Sequence, residues 1–104
     1  MAYDAIMRAR LILDTKTVLA DGRVIQREVW KLPQATLDRP HGIKFRLYCG
    51  IKGKTIVRYD NESGKGSHRH VGEQELETGY DFVSLVQLLT DFAADIVQLS
   101  GEIE

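Results

Sequence analysis

The sequence predicts an α+β fold: an antiparallel sheet of four to six strands built from serial hairpins, covered on one face by a C-terminal amphipathic helix at about residues 84–99. Three observations carry this prediction. Several short runs alternate apolar with polar residues, which is the period of a strand. Turn residues separate those runs, Asp21-Gly22 first among them. After Phe82 the apolar spacing changes to three and four, the period of a helix packed on one side. Residues 1–104 are read as one domain with one core, because 43% of the chain is hydrophobic and 28% charged.

The elements follow in order. From Ala5 to Asp14, the side chains of Met7, Ala9, Leu11 and Leu13 are expected on one side, with Arg8, Arg10 and Ile12 on the other. Next, TVLADGRVIQREVWKL contains Asp21-Gly22 between β-favouring residues, the signature of a type I′ turn with two positive φ angles. Val24 to Leu32 is the returning strand, and Pro33, which has no N–H to donate, ends its pairing. Residues 33–42 are a loop. In IKFRLYC, Ile43, Phe45, Leu47 and Cys49 point inward and Lys44, Arg46 and Tyr48 outward. A glycine-containing connection at residues 50–53 leads into KTIVRYD, and HRHVG supplies a fourth or fifth strand. Hairpins in series make the sheet antiparallel. In the helix, Leu85, Leu88, Leu89, Phe92, Ile96 and Leu99 form the apolar stripe. Ser84 with Gln87 matches a capping box, and Gly101 suits a C-terminal stop.

Composition narrows the classes. The longest apolar run is a few residues, so no membrane span is expected, and MAYDAIMRAR lacks the apolar segment of a signal peptide. Cys49 is alone, so an intramolecular disulfide is excluded, a cytoplasmic location is expected, and Cys49 reads as a small core residue. Charge is segregated. Residues 44–70 hold seven Lys/Arg against two Asp/Glu, whereas residues 71–104 hold eight acids and no Lys or Arg. A basic middle attracts phosphates, and an acidic end suits a basic partner or a wetted surface.

The chemistry-bearing stretch is RYDNESGKGSHRHV, residues 58–71. It gathers Arg58, Asp60, Glu62, Lys65, His68, Arg69 and His70 around a Gly-Lys-Gly turn. On a strand His68 and His70 share a face, as do Arg58 and Asp60 on the strand before. If Asp60 stands opposite His68 all four converge, and a slip of one residue separates them. A converged set suits RNA cleavage: His68 and His70 as base and acid, Arg58 and Lys65 for the phosphate, Asp60 and Glu62 to orient. Arg69, Arg46 and Lys44 extend the basic surface to a nucleic acid. The Walker spacing is absent, so this is no nucleotide-binding P-loop. Two further readings stay open. His-x-His with two carboxylates offers four ligands to a divalent ion, although three basic neighbours oppose it. Alternatively the stretch is a solvated hairpin whose charge pairs contribute roughly 0–1 kcal/mol each. His41 reads as an exposed loop residue and Trp30 as an anchor at the core edge.

The order VWKLP, KFRLYCG, VRYDNESGKGSHRH, YDFVSLVQLLTDFAADI resembles the TumE family, from about Leu11 to Ile96. YDNESGKGSHRH is its most specific part, which makes Tyr59, Asp60, Asn61, Glu62, Gly64, Lys65, Gly66, His68 and His70 the motif positions. The resemblance implies the toxin half of a two-gene toxin–antitoxin module, acting on RNA or translation, with a helix-turn-helix antitoxin as partner. No cofactor and no metal are implied. Between an enzyme and a non-catalytic module that only binds nucleic acid or protein, the resemblance does not choose.

Overall fold

The computed structural model describes residues 8–62 and 64–103. Six strands follow one another: β1 (Arg10–Val18), β2 (Val24–Lys31), β3 (Ile43–Ile51), β4 (Lys54–Asp60), β5 (His68–Val71) and β6 (Leu76–Gly79). One helix, α1 (Leu85–Ser100), closes the described chain. The sheet has the order β1-β2-β3-β4-β5-β6 with every neighbouring pair antiparallel, a meander of hairpins as expected.

The alternation in β2, β3 and β4 places Ile25, Val29, Phe45, Leu47, Cys49, Val57 and Tyr59 on one face, all buried. Leu88, Phe92 and Ile96, spaced by four, seal that face from α1 and are themselves fully buried. Burial is what raises the Cys49 thiol above its usual range. Arg27 lies over the Phe92 ring at 5.5 Å. The helix begins as anticipated, with the Ser84 hydroxyl accepting the Gln87 N–H at 3.0 Å. Only half of the capping box forms, because the Gln87 side chain turns forward and donates to Asp91. At the other end no basic residue occupies the last turn of α1. Arg23 supplies the cation from the β1–β2 loop, donating to the Ser100 hydroxyl (2.9 Å) and to the carbonyls of Gly101 and Glu102 (2.8 and 2.5 Å).

Three details depart from the sequence expectations. First, the opening strand is Arg10–Val18 instead of Ala5–Asp14; Ala5 to Met7 lie outside the described residues. A bulge between Leu11 and Leu13 breaks the alternation, pairing Leu11 with Trp30 but Leu13 with Val29, so these two leucines sit on opposite faces. Second, Asp21-Gly22 is not a type I′ turn, since Gly22 (φ 96°) has a positive φ and Asp21 does not. The Asp21 carboxylate accepts the Arg23 backbone N–H at 3.0 Å and its Nε–H at 2.8 Å, and this local pairing favours a three-residue connection. Two successive positive φ angles occur instead at Lys52 and Gly53. Third, His41 is half-buried, stacked on Phe82 with ring centroids 3.9 Å apart, and its Nδ1 accepts the Ile43 N–H at 3.1 Å.

A pH dependence follows from His41. Burial first, then the nearby Arg39 charge, lowers its pKa below the usual 6.5. The folded protein therefore holds the ring neutral more strongly than the unfolded chain does. That contribution is present above pH 6.5 and is lost as the pH falls through the lowered value. Thermal melts between pH 7.5 and about 5 are expected to show falling stability, with a shallower fall in His41→Phe, which keeps the stack without the titrating nitrogen.

Candidate functional site

The face of the sheet opposite α1 is polar, and register alone assembles it. One cross-strand row runs Glu28, Arg46, Asp60, His68. The adjacent row runs Gln26, Tyr48, Arg58, His70, Glu77. Because Asp60 stands opposite His68 and Arg58 opposite His70, the four side chains share a face. Lys44 shares it too, two residues from Arg46, with its ammonium 5.3 Å from the Trp30 ring centroid.

Within this face the charges are matched. Asp60, 5% exposed, accepts a short hydrogen bond from Arg58 Nη1. Arg58 Nη2 donates to Glu75 Oε1 at 2.9 Å, and the other oxygen of Glu75 accepts the Thr55 hydroxyl at 2.6 Å. The Thr55 hydrogen bond, then that from Arg58, holds the Glu75 carboxyl below its usual range. His70 Nε2 lies 3.5 Å from Glu77 Oε1 and 3.9 Å from Asp60 Oδ2. His68 is more open, its side chain 18% exposed against 10% for His70. Its Nδ1 is 3.1 Å from the Gly66 carbonyl and its Nε2 4.0 Å from Glu77 Oε2. A ring N–H on Nδ1 would donate to that carbonyl and leave Nε2 as the acceptor. The two imidazole centroids are 6.5 Å apart.

The remaining sequence candidates fall elsewhere. Lys65 and Glu62 are exposed in the β4–β5 loop. Gly64 and Gly66 flank Lys65 with φ of 85° and 73°, and the Gly64 N–H donates to Asp38 at 2.7 Å. No side-chain hydrogen bond or ion pair engages Lys65 among the described residues. Arg69 lies on the opposite, helix-bearing face, where its Nε and Nη2 donate to the Asp95 carboxylate at 2.7 and 3.0 Å. That carboxylate also accepts the Tyr59 hydroxyl at 2.5 Å. Burial, and next the hydrogen bond to Asp95, raises the Tyr59 phenol far above its usual range. Arg69 thus ties β5 to α1.

Sequence reasoning gave no role to Glu75 and Glu77. The signal for Glu77 is its parity opposite His70 once β6 is paired, but LETG has no apolar alternation to announce a strand. Asn61 is a motif position with a structural task. Its Oδ1 accepts the Phe45 N–H at 3.0 Å and its Nδ2 donates to the Ile43 carbonyl at 2.7 Å, extending the ladder one step past β4. Asn61→Ala would leave two backbone groups of β3 unpaired at a site 1% exposed. Urea unfolding is expected to show a loss of about 2 kcal/mol, the usual scale for unsatisfied buried groups.

Among the described residues, no group of three or more His, Cys, Asp or Glu is arranged to hold a metal ion. None of their helices is long and apolar enough to cross a membrane.

The fold and this face define a small α+β protein with a histidine pair on the helix-free sheet face, His68 partly open and His70 buried, set among matched acids and bases. A family model described as Toxin TumE matches residues 3–100. The chain belongs to the TumE toxin family, and that membership implies an antitoxin partner. No curated protein and no solved structure matches it.

Proposed function

We propose that this toxin is a cytoplasmic ribonuclease that cleaves RNA by metal-independent acid–base chemistry on the helix-free face, and that a helix-turn-helix antitoxin restrains it. The observation that carries this reading is the register of β4 against β5, which puts Arg58, Asp60, His68 and His70 on one face. His68 Nε2 takes the proton of a ribose 2′-hydroxyl, whose oxygen attacks the adjacent phosphorus. His70, as the imidazolium, gives its proton to the departing 5′-oxygen, and a 2′,3′-cyclic phosphate forms. An imidazolium at His70 has two carboxylates within ion-pair distance, and Glu77 lies within 4.0 Å of both rings, which supports an orienting role. Glu62, exposed in the loop, orients the loop instead.

Arg58 is committed to Asp60 and Glu75, so its part is to fix Asp60 and to lend positive charge to the developing phosphorane. Arg46, exposed on the same face, Lys44 and the exposed Lys65 supply the cations that meet a phosphate backbone. Arg69, held by Asp95, contributes through position only.

The experiment is incubation of purified protein with RNA, with and without chelator. Chelator-resistant cleavage supports the proposal. Chelator-sensitive cleavage transfers the site to a metal, and binding without cleavage leaves a binding module. In the same assay Lys65→Ala is expected to weaken RNA binding and to lower the salt slope by about one, so that the loss is larger at low salt.

A further inference from the structure

We infer that two copies of this chain pair through the free edge of β1, antiparallel about a twofold axis at Thr15, to make one continuous sheet. The inference is independent of the proposed RNA chemistry. Among the described residues β1 pairs only with β2, and its other edge is bare. The strand is long, nine residues, and eight of them are exposed, including Leu11 (51%), Ile12 (44%) and Val18 (64%). A long exposed edge of this kind is a template for another strand.

The backbone phase decides which residues can take part. Leu19 N–H donates to the Arg23 carbonyl at 2.8 Å, so the amides of Leu19, and by alternation those of Thr17, Thr15 and Leu13, face β2. The amides of Asp14, Lys16 and Val18 therefore face outward. A symmetric antiparallel pair using them, and centred near the middle of the strand, has its twofold axis at residue 14, 15 or 16. Centring on Asp14 opposes two carboxylates, and centring on Lys16 opposes two ammoniums. Only the axis at Thr15 sets Asp14 opposite the second copy's Lys16, twice over.

The charges in the lone chain point the same way. Asp14 stands directly opposite Glu28, a like-charge pair that disfavours the β1–β2 hairpin. Neither Asp14 nor Lys16 has a salt bridge or side-chain hydrogen bond among the described residues. A second copy supplies each with its counter-charge. Ile12 lies in the bulge, so the regular contact runs from Leu13 to Thr17 and sets Leu13 alongside Thr17 of the other chain, twice over. With the axis perpendicular to the sheet, both helices fall on one face and both histidine pairs on the other.

The test is solution mass across concentration, with engineered cysteines to fix the register. An edge contact is small, so the wild-type mass should rise from monomer toward dimer over about 10–500 µM. Thr15→Cys should oxidise to a covalent dimer, because opposed residues at a non-hydrogen-bonded site lie about 4.5 Å apart at Cα, within disulfide reach. Thr17→Cys should not, since it faces Leu13 of the other chain. Asp14→Lys should shift the association to higher concentration by about tenfold or more, and the exchange Asp14→Lys with Lys16→Asp should restore it. Circular dichroism of each variant should match the wild type, since the substituted residues are exposed. A monomer throughout, or cross-linking at Thr17 in preference to Thr15, overturns the inference.

Discussion

His68→Ala and His70→Ala are each expected to abolish growth arrest and to reduce RNA cleavage by about 10²–10⁴-fold, the span of a lost acid or base. Both should bind RNA nearly as the parent does, because the exposed cations Arg46 and Lys65 are untouched. The two positions differ in packing. His68 is partly open, so its truncation leaves little behind. His70 is 8% exposed and lies beside two carboxylates, so His70→Gln, which keeps the volume and a donor, accompanies the alanine variant. If His70→Gln is folded and inactive, proton transfer is the missing step. If both His70 variants unfold while His68→Ala stays active, the pair is structural and the catalytic reading fails. Induced expression in cells and single-turnover cleavage of an oligoribonucleotide read the two halves of this prediction.

Asp95→Ala is expected to cost about 3 kcal/mol of stability. One carboxylate accepts three hydrogen bonds, one from the nearly buried Tyr59 hydroxyl and two from Arg69. Its removal strands a phenol inside the sheet–helix interface and leaves a guanidinium half-covered and unpaired. Arg69 is 31% exposed and can swing toward water, which keeps the loss below that of a wholly buried pair. The cut falls where α1 meets β4 and β5, so RNA affinity should move little and the urea midpoint much. Arg69→Ala should behave the same way. A sharp fall in RNA affinity with unchanged stability would return Arg69 to the binding surface.

The faces of β3 and β4 were legible because strict alternation meets a one-sided core: Phe45, Leu47 and Cys49 turn in, Lys44 and Arg46 out. The same parity sets Arg69 on the face away from His68 and His70, although the sequence analysis groups it with Arg46 and Lys44 on the basic surface. The register that joins Asp60 to His68 was not legible. It is set in the β4–β5 connection, where Asn61 continues the ladder through its side chain and Gly64 and Gly66 turn the chain at positive φ, and neither leaves a periodic trace. The bulge next to Leu11 and the carboxylate grip of Asp21 on Arg23 are likewise local contacts that override a sound pattern. Glu77 escaped because an exposed edge strand has no apolar half to betray its period, and Glu75 because it sits in the β5–β6 turn at a φ of 51°.

Product chemistry tests the central claim most directly. An oligoribonucleotide incubated with the protein in excess chelator should yield ends carrying a 2′,3′-cyclic phosphate and a 5′-hydroxyl. A substrate with a 2′-deoxy residue at the cleaved position should remain whole, and the double variant His68→Ala/His70→Ala should leave both substrates uncut. Cleavage of the 2′-deoxy substrate, or undiminished cleavage by the double variant, would contradict the claim that the histidine pair performs the reaction.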